Sequence, residues 1–500
     1  MDLEIKGILY FILAVPLVFS ALALMGWLPC AVIHWLNRLA ATLTAAAVGK
    51  LVLCFDSGTA WQGDYLYLDA LSLWMLVILA LLYLGFAFTS KAYLDRDTNI
   101  RYGYLRRFRH LEGRFYALSH MFVWTMLLVV LVNNLGLMWV TIEATTLVSA
   151  LLVAFKFTRT SLEAAWKYVM VCTVGICLAL LGTVILYYAQ LSSLGGAQAL
   201  DWTYLALHGG ELNPVFTKLA FCFLFVGYGT KIGLAPMHAW LPDAHSEAPA
   251  LTSGLLSGAL CICAMYVLLR NMVVVIPAVG VGFVAGLCLF FGILTIGLAV
   301  PFVIVQRDVK RMLAYSSMEN FGLMMAGFGL FLPLAVEGSL LHMMNHALVK
   351  YVLFYTAGTI METYSTKNMM RIHGMMIQAP RTAAFWLVGI IGILGMPPLG
   401  IFFSKFFVLE SFFLSGNYWL VVLVLLLLAG ILIGILYHAM RMLGGTPARK
   451  AAGELMGCVD TVALAVLLFV SGAVSIAFRD MPYLGDIVSN AAKVILGGAA

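Results

Sequence analysis

Charge is what this 500-residue chain has least of: Asp, Glu, Lys and Arg make up 10% of it, against 63% hydrophobic residues. Soluble globular domains carry about a quarter charged residues. That class is therefore excluded, and a mean hydropathy of +1.01 points to an all-α, polytopic membrane protein. Paired cysteines are missing as well. The nine cysteines are scattered as Cys30, Cys54, Cys172, Cys177, Cys222, Cys261, Cys263, Cys288 and Cys458, with no CxxC and no Cys/His cluster at zinc or iron–sulfur spacing. No metal site or redox centre is expected in this chain, and the thiols read as small core residues. Also absent are a soluble domain, a low-complexity tract and a glycine-rich nucleotide loop on a strand. The net charge of +6 follows membrane topology, so no nucleic-acid partner is expected.

Long apolar runs are abundant. Stretches of about 20 residues, enough for ~30 Å of hydrocarbon, fall near 7–28, 31–54, 66–90, 115–133, 135–155, 162–190, 215–241, 250–271, 276–305, 312–333, 336–361, 382–412, 418–443 and 457–478. They predict about fourteen transmembrane helices. The first begins with Asp2 and Glu4 and lacks a clear cleavage region, so it is expected to be a retained helix.

Nineteen of the 29 basic residues lie in alternate loops: Lys91, Arg96, Arg101, Arg106, Arg107, Arg109 and Arg114, then Lys156, Arg159 and Lys167, then Arg307, Lys310 and Arg311, then Lys367, Arg371 and Arg381, and last Arg441, Arg449 and Lys450. The positive-inside rule makes these loops cytoplasmic and places both termini outside. The loops between them, such as Asp56 to Asp64 and Asp201 to Glu211, are acidic or nearly uncharged.

Ionisable residues inside the spans carry the functional signal. Lys231, Lys350, Lys405 and Glu143 each cost about 2.5–3.5 kcal/mol to insert, which makes a functional role the default reading and a structural ion pair the alternative. On the eleventh span His342, His346 and Lys350 recur every four residues, so they share one helical stripe, with Asn345 beside it. Histidine changes charge near neutral pH and has a donor and an acceptor nitrogen, which suits a proton relay.

Two spans are interrupted. In KIGLAPMHAWLPDAHSEAPA (231–250), Pro236, Pro242 and Pro249 break the helix, with Pro236 predicted to supply the break. In GILGMPPLGIFFSKFFVLE the breakers are Pro397, Pro398 and Gly400, with Lys405 just beyond. Broken backbone at membrane depth survives only against protein or a water-filled cavity. Helices four to eight and nine to thirteen form two blocks of five, each interrupted in its fourth helix. An odd count makes the blocks run in opposite directions, so this is an inverted repeat with its ion site at the breaks. The expected organisation is 1–114 for three N-terminal helices and a basic cytoplasmic loop, 115–271 for the first repeat, 276–443 for the inverted repeat, and 444–500 for a last helix and tail.

The stretch at 231–250, RDVKRMLAYSSMENFG (307–322), HMMNHALVK and GMPPLGIFFSK resemble the proton-pumping antiporter-like subunits shared by complex I, membrane-bound hydrogenases and Mrp-type Na+/H+ antiporters. With SLEAAWKYVMVCTVGICLALLGT (161–183), the likeness is strongest to the hydrogenase-4 component F type of formate hydrogenlyase-related complexes, in its shorter form without a long lateral helix. The resemblance implies that Glu143 partners Lys231, that His342, His346 and Lys350 form a central relay, and that Lys405 is its terminal lysine. Lys167 and His245 are implied near proton entry, with His238 and Asp243 shaping the cytoplasmic end. This chain departs from the pattern at Ile262, between Cys261 and Cys263, where many relatives carry a polar residue. Water or Ser257 is expected to bridge that gap.

The implied activity is proton translocation driven by a partner redox module, with no bond chemistry in this chain. The NiFe and iron–sulfur centres or the quinone are expected in partner subunits, alongside other membrane subunits and lipid, in a prokaryotic cytoplasmic membrane. A lysine in water holds its proton too tightly to relay it; desolvation loosens that hold and a nearby carboxylate restores it, so an ion pair that opens and closes can load and release protons. Two other readings stay open: an Mrp-type antiporter subunit moving Na+ against H+, and a non-transporting membrane scaffold.

Overall fold

The computed structural model describes residues 2–25, 28–101, 109–196, 198–446 and 452–497. Arg106, Arg107, Arg449 and Lys450 of the basic loops lie outside the described residues, as do the side chains of Arg101 and Arg109. Three long helices open the chain: α1 (Asp2–Leu24), α2 (Cys30–Cys54) and α3 (Ala70–Arg101). The first block follows as α4 (Arg109–Leu131), α5 (Leu135–Val153), α6 (Arg159–Leu194), a short α7 (Trp202–His208), α8 (Pro214–Ile232), α9 (Trp240–Glu247), α10 (Ala250–Leu255) and α11 (Cys261–Val279). The second contains α12 (Val281–Val305), α13 (Val309–Gly329), α14 (Pro333–Tyr364), a short α15 (Met375–Gln378), α16 (Pro380–Leu394), α17 (Gly400–Leu414) and α18 (Tyr418–Leu443). α19 (Cys458–Ala477) and α20 (Leu484–Ile495) complete it.

Among the described residues, eleven helices are individually long and apolar enough to cross a membrane. The other three expected crossings are α13, α14 and the α16–α17 pair. α13 and α14 sit inside the bundle, buried from Val309 to Gly329 except at Arg311 and along almost all of 335–360. Lipid does not meet them, so they can carry the polar groups that lower their hydropathy.

Three local expectations are corrected. The third span starts at Ala70 rather than 66, because Trp61–Gln62 (β1) and Tyr67–Leu68 (β2) pair as an antiparallel hairpin, a small departure from an all-α fold. The eighth span runs past residue 271 through Pro277 to Val279 and stops at Gly280, where φ is +84°. Most consequentially, glycine stops both interrupted helices before proline is reached. α8 ends at Gly233 (φ +91°), with Leu234 N–H donating back to the Gly229 carbonyl at 2.9 Å. α16 ends at Gly395 (φ +78°), with Met396 N–H donating to the Ile391 carbonyl at 3.1 Å. Both are left-handed glycine caps of the Schellman type. Pro236 and Pro398 each lie three residues beyond the capping glycine, where a missing N–H keeps the helix from resuming.

The tail expected after the last span contains a further helix. α20 is amphipathic, burying Ile487, Val488, Ala491 and Ile495 against the body of the protein, and Asn490 donates to the Ser57 hydroxyl at 2.9 Å. The basic loops converge at the opposite end. Lys156, Lys310 and Lys367, from three of them, line a single cavity of about 300 Å³.

Candidate functional site: a buried charge axis

α14 runs through the middle of the molecule and packs on α3, α10, α13, α16, α17, α19 and α20. Its stripe, His342, His346 and Lys350, is wholly buried, and all three members face α13. Asn345, beside the stripe, is bonded to Ser471 at 2.8 Å and Ser475 at 2.7 Å, so it fastens α14 to α19.

At one end of the axis Lys231, also wholly buried, closes α8. Its Nζ donates to the Ile142 carbonyl at 3.0 Å and to the Thr146 hydroxyl. Thr146 in turn reaches Glu143 Oε2 at 3.3 Å, and Thr173 donates to Glu143 Oε1 at 3.1 Å. The expected Glu143–Lys231 pair is thus joined through a hydroxyl rather than by direct contact. One turn of α5 places Glu143 and Thr146 on the same side, and Glu143 is only half-buried. Cys172, Cys261 and Cys263 stand within electrostatic reach of Lys231.

The far end is closed. Lys405 Nζ donates to Glu319 Oε1 at 2.8 Å and to the Ile393 carbonyl, in the last turn of α16, at 3.3 Å. A cation at a helix C-terminus meets the unsatisfied carbonyls there. Asn320 Nδ2 donates to Glu319 Oε2 and to the Ser316 carbonyl, both at 2.6 Å, so its Oδ1 is the atom facing His342 Nε2 at 2.9 Å. An oxygen acceptor there requires a hydrogen on Nε2. His342 Nδ1 meets Ser404 Oγ at 2.8 Å, and Ser404 also reaches the Ile401 carbonyl at 3.1 Å. With the ring neutral, Ser404 donates to Nδ1; with the ring protonated, Nδ1–H donates to Ser404, whose hydrogen turns to Ile401. One hydroxyl rotation accommodates either state.

Between the ends, Lys350 Nζ donates to the Leu313 carbonyl at 2.6 Å and to Ser316. His346 Nε2 lies 3.5 Å from Ser257 Oγ, which is 2.8 Å from Ser317 Oγ. Ser257 sits in a π-turn, Leu256–Leu260, that joins α10 to α11. Such bulges re-aim a side chain within a helix, and this one turns Ser257 toward α14, where it meets His346 rather than Lys231. Buried polar atoms without protein partners cluster in the same region: His346 Nδ1, Thr252 Oγ1 and both ring nitrogens of His245. Groups of this kind are normally hydrated.

The four candidates expected near proton entry separate. His245 is wholly buried, stacks on Phe354 at 4.8 Å, and lies within electrostatic reach of Lys310 and Lys350. Asp243 instead pairs with Arg311 and, at 3.5 Å, with Lys167, whose nearer partner is Glu163 at 2.7 Å. That cluster is a surface ion network, and His238 lies half-buried beside Phe302 and Tyr315. Pro236 is exposed at the surface of the first break, and Pro397 and Pro398 belong to the linker between α16 and α17. Among the described residues no group of three His, Cys, Asp or Glu side chains is placed to hold a metal.

Sequence reasoning missed Glu319, Asn320, Ser316, Thr146 and the buried Lys310. The signal for Glu319 was available: Glu143 lies in the second helix of the first block, and Glu319 lies in the second helix of its repeat. Asp69 and Arg270, both fully buried and joined by two 2.6 Å bonds, were missed as well. They clamp α3 to α11, away from the axis.

The transmembrane family described as NADH:quinone oxidoreductase/Mrp antiporter matches residues 132–431, which include every residue of the axis. The chain is 36% identical over 382 residues to the hydrogenase-4 component F homolog of Methylacidiphilum infernorum, covering 76% of this chain and 78% of that one. Among solved structures, a chain of an archaeal membrane-bound sulfane sulfur reductase shares the fold with a TM-score of 0.83 at 20% identity, over 98% of this chain and 99% of that one. A chain of the Mrp complex from a Dietzia species has the same TM-score at 17% identity, over 99% and 97%.

Proposed function

Because the chain belongs to the NADH:quinone oxidoreductase/Mrp antiporter transmembrane family, as an antiporter-like subunit, we propose that it translocates protons for a membrane-bound redox complex of the group 4 nickel–iron hydrogenase or complex I type. The observation that carries this reading is the buried file itself. Glu143, Thr146 and Lys231 stand at one end, Ser257, His346 and Lys350 in the middle, and His342, Asn320, Glu319 and Lys405 at the other. The stretches without a direct side-chain hydrogen bond, from Lys231 past Cys261 and Cys263 to Ser257, between His346 and Lys350, and from these two to His342, are crossed by water in this reading. The orphaned atoms of His346, Thr252 and His245 support that hydration.

Protons enter from the cytoplasmic cavity at Lys310, pass His245 and join the axis at Lys350 and His346. The lysines and histidines hold and hand on the proton, and the carboxylates set how tightly each lysine holds it. When the ammonium of Lys231 meets Thr146 and Thr146 meets Glu143, charge is shared along the row; movement of Glu143 away from Thr146 frees the lysine's proton. The driving force comes from partner subunits that carry the NiFe and iron–sulfur centres or the quinone, in a prokaryotic cytoplasmic membrane.

Purification of the native complex and reconstitution into liposomes tests this. Electron transfer should drive proton uptake that collapses with a protonophore and is indifferent to Na+. Sodium-dependent transport without any redox partner would move the chain to the Mrp-type reading, and electron transfer without proton uptake to the scaffold reading.

A further inference from the structure

One cavity lies apart from the proton axis. α3 and α19 border a groove of about 460 Å³, lined by Leu81, Gly85 and Phe88 on one side and Cys458, Val462 and Val466 on the other. Those spacings of three and four residues put each set on one helix face. α3 leads into the basic loop at 91–114, and α19 begins after the basic loop at 441–450, so Phe88 and Cys458 mark the cytoplasmic end and Leu81 the deep end. From Leu81 to Phe88 is ~11 Å and from Cys458 to Leu467 is ~14 Å, at 1.5 Å per residue. One leaflet of a ~30 Å hydrocarbon core is ~15 Å deep, so the groove spans the cytoplasmic leaflet and stops near the midplane. Its lining is apolar throughout, which suits a hydrocarbon chain.

At the cytoplasmic mouth the chemistry changes sign. Arg38 of α2 rests its guanidinium 5.6 Å from the centre of the Phe88 ring, and its Nε is buried without a hydrogen-bond partner. Exposed Lys91 stands one turn beyond Phe88 on the same face of α3. The acidic groups nearby are Asp95, Glu112 and Asp460. Glu112 faces His34 at 3.6 Å, and Asp460 is buried, accepting from the Gly457 N–H at 3.2 Å. None of them satisfies the Arg38 Nε. A guanidinium is suited to phosphate because it offers several donors in a fixed plane.

We propose that this groove binds an anionic phospholipid of the cytoplasmic leaflet, with one acyl chain between α3 and α19 and the phosphate on Arg38 and Lys91. The site ties the N-terminal three-helix unit to the last spanning helix through a lipid. Its test uses the full chain in nanodiscs of equimolar phosphatidylglycerol and phosphatidylcholine, followed by native mass spectrometry of the lipids that stay bound. The wild type should retain phosphatidylglycerol selectively. Arg38→Gln, which removes a charge-assisted bond, should reduce that retention about tenfold, and Ala463→Phe, which fills the groove, should displace both lipids. Lys91→Gln changes only an exposed side chain and should weaken retention without affecting folding. Equal retention of the two lipids by the wild type, or unchanged retention in Arg38→Gln and Ala463→Phe, would overturn the proposal. So would a cross-link from Val462 to a helix of another membrane subunit.

Discussion

Thr146 holds the place where a carboxylate was expected to touch Lys231. Its hydroxyl accepts from the lysine and reaches the glutamate, so it transmits charge without closing a permanent ion pair. Thr146→Val, nearly isosteric, should slow proton translocation about tenfold or more, in the range for loss of a positioned proton-transfer group, while Thr146→Ser should retain most of it; proteoliposome pH uptake reads both. The same logic separates what the sequence discloses here from what it hides. Glu143, Lys231, His342, His346, Lys350 and Lys405 are legible because a charge or imidazole in an apolar run is expensive and rare. Thr146, Ser316 and Ser404 are not, since hydroxyl groups are common in membrane helices and usually bond their own backbone. Ser257 was within reach only because a polar group was missing at Ile262.

Glycine caps, three residues ahead of Pro236 and Pro398, set the geometry of both interrupted helices. G-L-A-P at Gly233 and G-M-P-P at Gly395 share a spacing that composition alone obscures, because the prolines draw the eye first. Gly233→Ala and Gly395→Ala should each strain the left-handed cap and lower thermal stability, even though both prolines remain. The clamp between α3 and α11 tests a different kind of element contact. Asp69→Asn leaves the buried Arg270 without its carboxylate and should cost about 3–5 kcal/mol of stability, measured by thermal unfolding. The apolar pair Asp69→Leu with Arg270→Met should cost less. That clamp escaped the sequence reading because Asp69 lies at a helix start, where an acid normally looks like a solvent-exposed cap. Outside the membrane, Glu454, from the segment between α18 and α19, caps α16. Burial raises its carboxyl, but the Thr382 hydroxyl and the N–H groups of Met456, Thr382 and Arg381 outweigh this and hold it below its ordinary value. A carboxyl lowered on folding contributes stability above its unfolded pKa and loses it as pH falls through the folded one. Glu454→Gln should therefore be less stable than the wild type at neutral pH, with the gap closing below about pH 4.

The two five-helix blocks give the molecule one axis with unlike ends: hydroxyl-bridged at Lys231 and directly ion-paired at Lys405. Helix number and both interruptions were readable because the bilayer imposes hydrophobic length and proline breaks it. The pairing of particular side chains across helices was not, because it depends on rotation about each helix axis, which apolar-all-round spans leave unmarked. The central claim is that protons travel this axis, and Lys231 has no substitute in it. The most direct measurement is redox-driven proton uptake in liposomes carrying the native complex with Lys231→Ala. Uptake should be abolished while electron transfer persists; uptake at the wild-type rate would contradict the account.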